Sequence, residues 1–400
     1  LSRITVVGLD GGALRPEARG AVEEAALVAG GRRHLASLGV EPGRAAVLEG
    51  DLSGALDEIS AADGPVAVLA SGDPGFFGVV RLLAERFGRE RVRVLPAVSS
   101  VALAFARAGL PWDDAAVVSA HGRDPRRAVN VCLARPKVAV LTSPDFGPAE
   151  LAQKLRGARR TLYVAERLGE PDERVFRGGA DEVAGRSWRD PNVVLVVDGE
   201  CAVGEKGWAS CGLGSPGQWA LPEDAFEHRS AMITKPEVRA LVLARLGPGP
   251  GDLVWDVGAG SGSVAVECSR LGAAAIAVER DPESCERIRR NAARHGAYVR
   301  VVGGEAPDAL RDLPEPDAVF VGGSGGGFEE IVGICAARAR RTVVLTLVTL
   351  ERVVPAAALL EGRGLEVEGT LLQASRVKGV GTLHRLAPRS PVFIVSGRRP

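Results

Sequence analysis

The stretch GDLVWDVGAGSGSVAVECSRL, residues 251–271, decides the fold of the half of the chain that contains it. An apolar run reaches Asp256, glycines follow at 258, 260 and 262, and a helical pattern starts near Ser263. Glycine is wanted at such a turn because the backbone bends sharply, and a Cβ would hold a nucleotide-like ligand away. A dinucleotide fingerprint, G-x-G-x-x-G, would put its third glycine at 263, where this chain has serine. That argues against NAD. An acidic residue two positions before the first glycine suits a ligand with a cationic amine and a sulfonium. Asp256, Gly258, Gly260 and Gly262 are therefore expected to border S-adenosylmethionine (SAM).

Downstream, Glu279 ends the next apolar run, 19 residues after Gly260. A carboxylate at that strand tip can accept hydrogen bonds from both hydroxyls of a ribose. Glu305 in VVGGEAP follows the third strand and is placed to border the adenine, and Gly304 and Ala306 beside it are assigned to the same site. The order of strand, D-x-G-x-G-x-G, helix and strand-ending Glu predicts a Rossmann-like class I SAM methyltransferase fold. After the fourth strand, PDAVFVGGSGGG (316–327) sets Gly322, Gly323, Ser324 and Gly325 beside the expected methyl donor. Small residues there leave room for a large acceptor. The Asp/Asn-Pro-Pro-aromatic motif usual in amino-methylating enzymes of this fold is missing.

Further outward, short Val- and Leu-rich runs alternate with Ala- and Arg-rich stretches of helical period, the βαβ signature of a parallel α/β sheet. Strands are expected near 3–8, 65–70, 92–96, 115–119, 137–142, 161–165 and 193–197. The pattern restarts near 252–257, 275–279, 299–303, 317–321 and 342–347, with a closing pair at 365–374 and 391–396. Between the halves the Gly-, Pro-, Ser- and Trp-bearing segment around 203–228 breaks every period. The expected division is 1–203, a linker at 204–228, and 229–400. Four hundred residues suit two domains.

Composition narrows the function. Fifty basic and fifty acidic residues leave no net charge, so neither nucleic acid nor an anionic membrane is demanded. Aromatic residues are few (Phe 10, Trp 5, Tyr 2) and no basic stripe interleaves them, which weighs against an RNA methyltransferase. The six cysteines, Cys132, Cys201, Cys211, Cys268, Cys285 and Cys335, form no C-x-x-C pair, so neither a disulfide framework nor a metal site is expected. Without a signal peptide pattern or a transmembrane run, the expected location is cytoplasmic. Arg far outnumbers Lys, with five lysines among the fifty basic residues. Codon bias accounts for that, although a guanidinium also suits forked recognition of substrate carboxylates.

Four stretches, AMITKPEVRALVLARL (231–246), the GAGSGSVAVE loop, the VGGSGG loop and the closing LHRLAPRSPVFIV (383–395), resemble the C-terminal domain of the precorrin-6Y C(5,15)-methyltransferase (decarboxylating) family. The likeness covers nearly all of 229–400, and Thr234 is placed with the cofactor site on that basis. The first half carries VVGLDGG (6–12), AVLASGDPGFFG (67–78), LPAVSSVALAFARAGLPW (95–112), AHGRD (120–124) and ERLGEPDERV (166–175). This set is similar to the tetrapyrrole methylases, a two-lobed SAM-binding fold of class III. The resemblance implies that Gly8, Gly72, Asp73, Pro74 and Phe76 border SAM, with Ser99 and Ser100 contributing. Alone, Asp73 reads first as a turn former, and His121 as either a substrate ligand or a loop histidine. Relatives often show Gly-Pro-Gly after the first strand, where this chain has Asp10-Gly11-Gly12.

Together the resemblances imply a homo-oligomeric enzyme of cobalamin biosynthesis. It would methylate precorrin-6B at meso carbons 5 and 15 and decarboxylate the ring C acetate, giving precorrin-8. Substrate carboxylates would need cationic or amide partners, for which Lys235 and Arg239 on the entry helix, Arg376 and His384 are candidates. Lys235, Ser324, Arg376 and His384 make up the expected reaction site. An RNA or protein methyltransferase and a non-catalytic tetrapyrrole carrier are the competing readings; intact glycines and acidic residues in both loops weigh against the carrier.

Overall fold

The computed structural model describes residues 3–50, 52–199, 218–229, 233–323 and 326–400. By contacts the chain forms two compact units. The first takes in 1–123 and 137–211, and the second 124–136 and 212–400.

In the first unit, β1 (Ile4–Leu9), β2 (Leu27–Gly30), β3 (Ala45–Val47), β4 (Val66–Ser71) and β5 (Val92–Leu95) make a sheet of order β3-β2-β4-β1-β5. Every pairing in it is parallel. Alternation along β1 sends Ile4 and Val6 into one apolar layer, with Val66, Val68 and Leu83. Val7 goes into the other, with Val28, Leu69 and Leu35. A second sheet, of order β6-β7-β10-β8-β9, comprises β6 (Ala116–Ser119), β7 (Lys137–Leu141), β8 (Thr161–Glu166), β9 (Arg174–Gly179) and β10 (Asn192–Val197). Only β6 and β7 run parallel here; β7, β10, β8 and β9 alternate in direction. The parallel sheet expected throughout the first half therefore holds for one lobe only. Apolar runs such as Asn192–Val197, buried at every position, mark a central strand but carry no sign of its direction.

In the second unit, β11 (Leu253–Val257), β12 (Ala274–Glu279), β13 (Val299–Gly303), β14 (Ala318–Val321), β15 (Thr342–Leu347), β16 (Glu366–Leu372) and β19 (Val392–Arg398) form one sheet of order β13-β12-β11-β14-β15-β19-β16. A separate exposed hairpin joins β17 (Ser375–Val380) to β18 (Leu383–Pro388). The five strands from β13 to β15 are parallel, and β19 runs against both of its neighbours. Trp255, Val257, Val319 and Val321 enter the layer formed with Ile331, Val332 and Ala336. Val254 and Phe320 enter the opposite layer, against Val242, Leu243 and Leu246 of the helix Pro236–Leu246. Strand order reverses between β11 and β14, which opens a crevice at their carboxyl ends.

Two boundaries differ from the sequence expectation. Leu221 and Phe226 are buried with Ile233, Val266 and Ala292, so residues 218–228 pack into the second unit instead of forming free linker. The rest of that linker lies outside the described residues. The helix Pro125–Ala134 also belongs to the second unit, where the Asn130 amide donates to the Gly251 carbonyl at 3.0 Å. Among the described residues no helix is long and apolar enough to cross a membrane.

Candidate functional site

The glycine loops of each unit lie at the carboxyl edge of a parallel sheet, and the units are described in turn.

In the first unit Gly8 sits inside β1, where a Cβ would stand 2.2 Å from the Gly72 carbonyl oxygen and 2.5 Å from the Ala97 nitrogen. No other residue fits there. Gly72, at φ +59, donates its N–H to Leu9 O at 2.6 Å and accepts from Ala97 N at 3.3 Å. One residue thus ties together the ends of β1, β4 and β5. The Asp73 carboxylate accepts from Gly75 N at 2.8 Å, the turn-forming role. Ser99 Oγ accepts from Ala102 N at 3.1 Å and caps the helix Ser100–Ala108. Pro74 is buried, whereas Phe76 is exposed and meets Phe77 edge-on, with ring centroids 4.9 Å apart. Asp10, at the place where relatives often carry Gly-Pro-Gly, braces its own loop: its carboxylate accepts from Gly12 N at 3.1 Å and Val98 N at 3.4 Å. His121 is exposed in a turn.

In the second unit Gly258, Gly260 and Gly262 all take left-handed φ, and the helix Ser263–Arg270 starts directly after them. A Cβ on Gly258 would lie 2.1 Å from the Gly323 carbonyl oxygen, so the loops after β11 and β14 touch backbone to backbone. Glu279 clamps the first of these loops. One carboxylate oxygen accepts from Gly260 N at 2.8 Å, the other from Asp281 N at 3.0 Å. Asp256 is buried, with one oxygen accepting from Ala265 N at 3.0 Å and the other without a partner. Burial pushes its pKa up to about 7, and neighbouring Glu279 adds to the rise. Glu305 is exposed and pairs with Arg280 at 2.9 Å, while Gly304 N donates to Glu279 O at 3.0 Å. Ala306 is partly buried against the core beneath.

The residues expected to hold substrate divide. Lys235 pairs with Glu223, and Arg376 forks onto Glu237 at 2.7 and 2.9 Å and reaches Glu223 at 3.0 Å. Burial alone would raise the Glu223 carboxyl, but Lys235 and Arg376 outweigh it and leave it below its ordinary pKa. His384 pairs across the hairpin with Gly379, so alternation puts it on the face opposite Arg376, exposed to solvent. Arg239 cannot serve as a substrate partner. It is fully buried, with Nε 2.6 Å from Glu267 and further bonds to the Thr234 and Leu221 carbonyls. Glu267 also accepts from Ala220 N and Leu221 N, so the pair pins residues 220–221 onto the helix that follows the glycine loop. Ser324 and Gly325 lie outside the described residues.

Two family models match the chain: tetrapyrrole (corrin/porphyrin) methylases over residues 4–184, and the precorrin methyltransferase domain over 224–399. Fold and loop geometry thus define a methyltransferase that joins two unlike folds in one chain. A precorrin-6Y C(5,15)-methyltransferase (decarboxylating) from Sinorhizobium is 40% identical over 339 residues, 80% of this chain and 78% of that one. The chain belongs to this family. A cobalt-precorrin-7 C(5)-methyltransferase from Salmonella typhimurium is 36% identical over 179 residues, 43% of this chain and 88% of that one. The solved precorrin-6Y C5,15-methyltransferase from Geobacter metallireducens is 36% identical, covers 45% of this chain and 97% of its own, and superposes with a TM-score of 0.43.

Proposed function

We propose that the chain methylates precorrin-6B at meso carbons 5 and 15 and removes carbon dioxide from the ring C acetate, giving precorrin-8. The observation that carries this reading is the pairing of two unlike methylase units in one chain, in the order of the family to which it belongs. The N-terminal domain methylates one meso carbon. The C-terminal domain, with residues 218–228 packed into it, methylates the other and decarboxylates.

SAM, when bound, supplies a methyl group on a sulfonium. The residues present fit it. Asp256 has a buried oxygen without a partner, suited to a cationic amine, and a Cβ on Gly260 would meet open space, so the loop can be approached closely. Glu279 has lone pairs left for ribose hydroxyls. Thr234, Gly258, Gly262, Gly304, Glu305 and Ala306 complete this site. Gly8, Gly72, Asp73, Pro74, Phe76, Ser99 and Ser100 form the one in the first unit.

A reduced tetrapyrrole is an electron-rich carbon nucleophile, so the chain's main task is to align carbon, methyl and sulfur. Decarboxylation leaves an electron pair that the conjugated ring absorbs, aided by a site that strips water from the carboxylate. Lys235 and Arg376 receive the other carboxylates, with Ser324 completing the reaction site; His384, on the hairpin face opposite Arg376, stands apart from it. The protein acts in the cytoplasm as a homo-oligomer without a nucleic-acid partner. Val377 with Leu386 on one face of the hairpin, and Val380 with Leu383 on the other, are exposed apolar pairs that self-association would cover. Mass spectrometry of precorrin-6B incubated with the chain and methyl-labelled SAM tests the reading. Two labels with loss of carbon dioxide are expected; unchanged mass with SAM bound would overturn it.

A further inference from the structure

The carboxyl edge of the first sheet holds a side-chain cluster used by neither glycine loop. Gly31-Arg32-Arg33-His34 follows β2, and it brings His34 beside Ser71, the exposed last residue of β4, one position before Gly72. Ser71 Oγ lies 3.0 Å from His34 Nε2, and Arg33 Nη2 lies 3.3 Å from both atoms. A guanidinium only donates, so the roles follow: Nε2 carries the lone pair, and the Ser71 hydroxyl accepts from Arg33 and donates to the ring. The ring proton then sits on Nδ1, which is buried without a partner. Glu170, from the loop after β8, anchors Arg33 at 2.5 Å, and Glu49, after β3, is the other carboxylate that acts on the ring. Burial first and Arg33 second lower the imidazole pKa against the pull of Glu170 and Glu49, which keeps the ring neutral at pH 7.

Resting on the function proposed above, we infer that Ser71 and His34 form the proton acceptor of the methylation carried out by the first unit. A meso carbon carries one hydrogen. Its π pair forms the new C–C bond as the carbon–sulfur bond of the sulfonium breaks, and that bond's pair stays on sulfur. The methylated carbon is now tetrahedral, and conjugation returns only when its C–H bond breaks and the pair re-enters the ring. The Ser71 oxygen takes that proton as its own proton passes to His34 Nε2, leaving an imidazolium that solvent discharges. General-base catalysis of this kind contributes roughly 100-fold or more.

The test uses the full chain, precorrin-6B and methyl-labelled SAM between pH 5 and 9. In the wild type the methylation rate of the first unit should fall on the acid side, with an apparent pKa below 6.5. His34→Gln keeps an acceptor for Ser71 but no base; it should lower that rate at least ~100-fold and erase the acid limb. The singly labelled product should then accumulate. Ser71→Ala, at an exposed position, should do the same without weakening SAM binding, and added imidazole should partly rescue His34→Ala but not Ser71→Ala. An H34Q chain within threefold of the wild-type rate and with the same acid limb would overturn the inference and leave the two-methyl reaction standing. A wild-type chain that transfers no methyl to precorrin-6B would overturn the function itself, and this inference with it.

Discussion

The two glycine loops hold their shape by opposite means. In the second unit carboxylates do it: Glu279 grips Gly260 N and Asp281 N, and Asp256 holds Ala265 N from below. In the first unit the main chain does it, through Gly72, which links Leu9 and Ala97 while Gly8 stays bare enough for strands β1 and β4 to close. Asp73 and Asp10 lie nearby, yet Asp73 turns back on its own loop and Asp10 holds its loop to Val98 N. One unit places charge where a ligand would meet it, and the other places absence of bulk.

The largest expected effect comes from the feature the two loops share, close backbone approach. Gly8→Ala would drive a Cβ to 2.2 Å from a carbonyl oxygen, and Gly258→Ala to 2.1 Å from another. Backbone contacts so short cannot be relieved by a side-chain rotation. Each variant should lose at least ~100-fold of one methylation and spare the other, since a small misplacement of reacting groups is costly. Product mass distinguishes them: G8A should give one label with loss of carbon dioxide, and G258A one label with the acetate retained. If either variant removed both labels, the two loops would not be independent.

The difference between the loops also explains what the sequence reveals. Asp256, the three glycines and Glu279 lie within 24 residues on a strand-turn-helix-strand run, so local spacing alone assigns them. Strand direction in the second sheet is set by distant pairing, as between Val194 and Val140, and no local pattern encodes it. β9 reads RVFRGG, an edge strand largely open to solvent, and offers no apolar run to notice. The hairpin of β17 and β18 is exposed on both faces for the same reason. Arg239 shows the limit for single residues. Its helical position resembles a surface one, but its partner Glu267 is 28 positions away and its burial depends on residues 220–221 folding over it. The Ser71–His34 contact spans 37 residues, and the GGRRHL segment has no spacing rule that announces it.

Asp256 sharpens the comparison through pH. Its folded pKa of about 7 stands above the ordinary 3.8, so between those values the folded chain binds more protons than the unfolded one. Stability from this group is present below pH 3.8 and is lost as pH rises to about 7, by up to about 4 kcal/mol. Asp256→Asn keeps an acceptor for Ala265 N and removes the charge. Without SAM, the variant should melt several degrees above the wild type at pH 8, and the gap should shrink at pH 5. Equal pH slopes in the two proteins would show that the orphan oxygen is solvated.

The smallest effect separates the carboxylates themselves. Both Glu279 oxygens accept a backbone N–H, so a Gln there must turn its amide toward one donor and leave that bond unmade. It would also give up the charge that strengthens bonds to ribose hydroxyls. About tenfold weaker SAM binding at the second unit, or ~1.4 kcal/mol, is the expected cost. Asp73 accepts one N–H, from Gly75, and Asn forms the same turn with its amide oxygen. Asp73→Asn should therefore weaken binding at the first unit by about threefold or less. Titration calorimetry of the full chain with SAM, which reports both sites in one experiment, measures the two variants side by side. A larger loss from D73N than from E279Q would reverse the assignment, making the first unit the one that binds through charge.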